Sequence, residues 1–62
     1  MYYTNDVEDV MIVINKCLKY IRLGADPRIE IPFTINVLEC ILDTDFTEEQ
    51  YEEIYKVIEE LI

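Results

Sequence analysis

Sixty-two residues allow one folded unit with a small core, and a chain of that length buries only about 60% of the surface its unfolded form exposes. The formal net charge is −9, from fourteen acids and five bases, which argues against direct nucleic-acid binding and against anionic membrane surfaces, since both need clustered Lys and Arg. Histidine is absent, and Cys17 and Cys40 form no close pair, so the chain lacks the ligands of a structural zinc site.

A helix is predicted over residues 6–23. Asn5 followed by Glu8 resembles a capping box, and Asp6, Glu8 and Asp9 favour the positive end of a helix. Val7, Val10, Met11, Ile14, Cys17, Leu18 and Ile21 recur at the 3-and-4 spacing of a buried stripe. Lys16, Lys19 and Arg22 complement the negative end, and Gly24 provides a stop with Pro27 just beyond it. The apolar run Val10 to Ile14 is far short of the ~20 residues of a membrane span, and acids precede it, so neither an anchor nor a signal peptide is expected.

Residues 25–32 read as an extended linker, because Pro27 and Pro32 disfavour helical geometry in the residues before them. Alternation places Ile29 and Ile31 for insertion into the core. A second helix is predicted over 33–42, with Phe33, Val37, Leu38, Cys40 and Ile41 as its apolar positions; its β-branched content leaves a strand over 34–38 as the alternative. Cys17 and Cys40 both fall in apolar runs and read as buried, reduced thiols.

The third helix, over 48–61, has the clearest start: Thr47-Glu48-Glu49-Gln50 is a capping box, with Phe46 and Tyr51 spaced as a hydrophobic staple. Tyr51, Ile54, Tyr55, Ile58, Leu61 and Ile62 form its apolar stripe. The expected fold is therefore all-α: a small three-helix bundle, with residues 1–62 as a single helical domain. Asp43-Thr44-Asp45 before this helix invites comparison with a calcium loop, but Glu48 stands where the loop needs glycine and Ile54 where it needs a bidentate glutamate. Asp43 and Asp45 are turn residues on this reading, and no metal or cofactor is expected.

Function classes narrow in the same way. With no histidine, no serine and one glycine, the chain lacks the commonest general base, a serine nucleophile and a Gly-rich phosphate loop, and a domain this small has little room for a cleft holding two catalytic carboxylates, so catalysis is not expected. The segment Asp43 to Ile62 carries eight acids and one base, placing seven of the nine net negative charges in the last third. On the third helix, Glu48/Glu52 and Glu49/Glu53 repel at i,i+4, while Glu59 and Glu60 oppose the macrodipole; only Lys56, facing Glu52, offsets this. Function is more often found where local rules are broken, and the expected docking face is Glu49, Glu52, Glu53, Glu59 and Glu60, with a solvated face that confers only solubility as the alternative.

Ile12 and Leu23 project to the polar side of the first helix at about 100° per residue and are candidate contacts for a partner or a second copy. Tyr2 and Tyr3 are candidate aromatic anchors at the same kind of contact. The leading expectation is a cytoplasmic, non-enzymatic inhibitor or regulator that sets its acids against a basic surface of a nucleic-acid-handling protein, in the manner of a DNA mimic. Ten Ile, five Tyr and one Ala suggest AT-rich coding and hence a phage, a mobile element or a low-GC bacterium. The alternative is an assembly protein forming a homodimer through its first helix.

Overall fold

In a computed structural model, which describes residues 6–62, the chain forms three helices: α1, Asp6–Arg22; α2, Pro27–Leu42; and α3, Glu48–Leu61. The predicted Asn5 cap, Tyr2 and Tyr3 lie outside the described residues. Helix α1 ends as its sequence dictates. Gly24 adopts φ 114°, its N–H donates to the Ile21 carbonyl (3.0 Å), and the Ala25 N–H donates to the Tyr20 carbonyl (2.9 Å). That pair of bonds is a Schellman motif, and the positive φ is the reason glycine stands there.

The linker expectation is corrected. Helix α2 starts six residues earlier than predicted, at Pro27, and the extended backbone is confined to the approach to it. Asp26 has φ −76° and ψ 117°, the extended geometry that a following proline imposes, and this is also the geometry of an N-cap. Its carboxylate accepts the Arg28 N–H at 2.9 Å and the guanidinium at 3.3 Å, and these bonds hold the Asp26 carboxyl below the usual carboxylate range. Pro27 occupies the first helical position, where a missing N–H costs nothing. Pro32 is inside the helix rather than at its start.

The buried stripe of α2 is Ile31, Thr34, Ile35 and Leu38, one helical face at i, i+3, i+4 and i+7. Three further expectations fail against that stripe for one reason. Ile29, Phe33 and Cys40 each stand two residues from a stripe position, on the far side of the helix, and all three are exposed. Cys17 is buried as expected; Cys40 is not. The strand alternative over 34–38 also falls, since those residues are helical.

Helix α2 is the central element, and α1 and α3 flank it while touching each other little, which gives a flattened bundle of 40 × 26 × 16 Å. Cys17, Leu18 and Ile21 of α1 meet Ile31 and Ile35 of α2 and Ile58 of α3 in one core cluster. Ile14, Phe46, Tyr51, Ile54 and Tyr55 pack around it. Val7 and Met11, expected in the α1 stripe, are exposed because they reach past this cluster; Leu61 and Ile62 of α3 are likewise half exposed.

Helix α3 begins with the predicted capping box: the Thr47 N–H donates to Gln50 Oε1 (3.0 Å) and the Gln50 N–H donates to Thr47 Oγ1 (3.2 Å). The loop before it is held by a residue that sequence patterning did not single out. Helix α2 closes in a second Schellman motif, with Asp43 at φ 51° in the glycine-like position and the Thr44 N–H donating to the Glu39 carbonyl at 3.1 Å. The Glu39 carboxylate then accepts the Phe46 N–H at 2.8 Å in a part-buried setting. Glu39→Ala is expected to cost about 1–2 kcal/mol, the worth of a charge-assisted bond with one N–H left unpaired. Glu39→Gln keeps an acceptor oxygen and should lose less than half of that; urea unfolding of both variants measures the difference.

Candidate functional site

The antiparallel arrangement gathers acidic segments that are separate in the sequence. Since α2 runs opposite to α1 and α3, the start of α1, the end of α2 and the start of α3 lie at one end of the bundle. Glu8 and Asp9 come from the first, Glu39, Asp43 and Asp45 from the second with its loop, and Glu48, Glu49, Glu52 and Glu53 from the third. No Lys or Arg occurs from residue 6 to 15 or from residue 29 to 55. The bases Lys19, Arg22 and Arg28 fall at the opposite end, together with Asp26, Glu30, Glu59 and Glu60, so one end is strongly acidic and the other mixed.

All five acids of the predicted docking face, Glu49, Glu52, Glu53, Glu59 and Glu60, are exposed on α3. Glu49, Glu52, Glu53 and Lys56 line one shallow depression, yet the expected Lys56–Glu52 ion pair does not form within 4 Å. Neither α2 nor α3 has a base in its last turn. Two of the three helix C-termini therefore lack the cationic complement to the macrodipole, one more than the sequence reading identified.

Ile12 and Leu23 are exposed as expected, Leu23 at 75%, and the Leu23 N–H still bonds to the Lys19 carbonyl at 3.1 Å. Ile12 stands on the side of α1 away from the core, and Leu23 just beyond the end of the helix. A second apolar surface was missed. Val10 and Ile14 of α1, Leu42 of α2 and Ile54 and Val57 of α3 line an open groove of about 360 Å³, with Glu53 at its edge. The signal is present in the spacing: Ile54, Val57, Ile58 and Leu61 are a continuous 3-and-4 row, wider by Val57 than the stripe expected for α3.

Asp43 and Asp45 line a separate depression with Asn36, Glu39 and Thr44. Among the described residues, no group of His, Cys, Asp or Glu is placed to hold a metal ion. No described helix is long and apolar enough to cross a membrane. Comparison with protein-family models, curated proteins and solved structures found no match.

Proposed function

We propose that this protein acts without catalysis, by docking its acidic end and the exposed arc of α3 on a basic surface of a partner protein. The observation that carries the reading is the convergence of acids from three separate segments at one end of the bundle, with no base among them. Acids that served only solubility would work as well if scattered, whereas concentrating them costs self-repulsion and gains a directed field. Such a field speeds encounter and fixes orientation, and apolar contacts supply most of the affinity. A partner that handles nucleic acid fits this chemistry, because its basic cleft is already shaped for closely spaced anionic charge. The protein would then work as an inhibitor or regulator by occupying that cleft, and a phage origin suits such a role.

The test is kinetic. Once a stoichiometric partner is captured from host lysate, association is measured by stopped flow at low and high salt. Glu49→Lys combined with Glu52→Lys should slow association about ten-fold or more at low salt and flatten its salt dependence. Unchanged rates would overturn the reading. Exposed Ile12 and Leu23 favour the homodimer as a second reading; it predicts that Ile12→Asp changes the sedimentation coefficient of the purified protein, and a monomer at all concentrations removes it.

A further inference from the structure

We infer that the groove between α1 and α3 is the seat for a cationic amphipathic helix of the partner protein, which docks there as a fourth helix. This rests on the reading that the acidic end binds a basic protein, and it names the seat and the shape of the bound element. The groove exists because α1 and α3 both lean on α2 and leave a cleft between themselves. It is lined by Val10 and Ile14 of α1 and by Ile54, Val57 and Ile58 of α3, over Leu38 and Leu42 of α2; Val7 and Met11 on α1 and Leu61 on α3 continue these two rows at helical spacing. Val7, Met11, Val57 and Leu61 are each at least half exposed, so the rows continue beyond what three helices cover. Surfaces of this form, with rows at i, i+3, i+4 and i+7, receive the apolar face of a helix, and no strand edge is present among the described residues to receive an extended peptide.

Charge decides which helix. Glu53 lies at the groove's edge, and Glu49 and Glu60, four residues before it and seven after it, extend the same row alongside Val57. The basic residues Lys16 and Lys19 of α1 project to its other side, next to Ile12. An occupant with Lys or Arg flanking its apolar face meets the acids of the α3 wall. A second copy of this chain would bring its own acids against them, because it carries the same charge of −9.

The probe is a labelled synthetic 20-residue amphipathic helix with leucine on one face and lysine on the other, compared with a twin in which glutamate replaces lysine. Binding to the full chain is read by fluorescence anisotropy, and the location by amide chemical-shift changes. The lysine peptide should bind at least ten-fold tighter than its twin, shifting Val10, Ile14 and Val57 rather than Ile12. Val57→Ser, at a position 54% exposed and so compatible with folding, should weaken binding about ten-fold. A melting curve confirms that this variant is folded, and Leu42→Ser provides the same test from α2. Equal affinity for both peptides overturns the charge argument. Binding of the lysine peptide that ignores both serine variants overturns the groove while leaving the acidic-end reading standing. Sedimentation as a dimer that Val57→Ser dissociates assigns the groove to a second copy and overturns the inference. No binding by either peptide also overturns it, and the partner kinetics then judge the acidic end alone.

Discussion

Ile58→Ala is expected to leave the chain largely unfolded at 25 °C. The residue is 0% exposed and is the fully buried side chain that α3 contributes to the core cluster, where it meets Leu18 and Ile21 of α1 and Ile31 and Ile35 of α2. Truncating a buried Ile to Ala costs about 2–5 kcal/mol, from lost transfer energy and the cavity left behind. A single core in a chain this small supplies roughly 3–5 kcal/mol in total, so the loss approaches the whole stability of the fold. Because α1 and α3 touch little, α3 is held mainly through α2, and no second interface replaces the lost contact. Far-UV circular dichroism of Ile58→Ala should show most of the helical signal lost. Ile58→Val, at about 1 kcal/mol, should remain folded with a lower urea midpoint. A folded Ile58→Ala with near-parental stability would mean that α3 is secured elsewhere, by its half-buried Tyr51, Ile54 and Tyr55.

How far the sequence revealed this arrangement differs element by element, for physical reasons. Helices α1 and α3 were legible to within a residue because each has a strong stripe and a start or stop built from local chemistry, Gly24 for one and Thr47 with Gln50 for the other. Helix α2 is longer than its sequence suggests because a proline disfavours helix in the residues before it, whereas Asp26-Pro27 is a start signal: one residue takes the cap geometry and the next needs no N–H. The acids of α3 were plain in the sequence. Their union with Glu8, Asp9, Glu39 and Asp43 was not, since it depends on which helix ends lie together, and that is fixed by topology rather than spacing. The groove was hidden for the same reason: a stripe predicts which face is apolar, but whether two neighbours suffice to cover it is decided by how helices pack.

Pro32→Ala is expected to stabilise the protein, by about 1–3 kcal/mol. Pro32 is the sixth residue of α2, beyond the first turn where a missing N–H is harmless. There it withholds the hydrogen bond that residue 32 would donate to the Arg28 carbonyl, its ring crowds that carbonyl, and it disfavours helical geometry at Ile31, which is 0% exposed. An interior proline costs a helix about 3 kcal/mol relative to alanine. The helix forms across it because burying Ile31 and Ile35 offsets that cost. Alanine restores the bond, while the loss of a half-buried ring and a more flexible unfolded chain subtract from the gain. The urea midpoint should therefore rise. Hydrogen exchange at Phe33 and Thr34, the first amides after the interruption, should slow by more than exchange in α3. A midpoint that falls would show that the ring's packing outweighs the missing bond, and that the proline is tolerated for its contacts rather than in spite of its backbone.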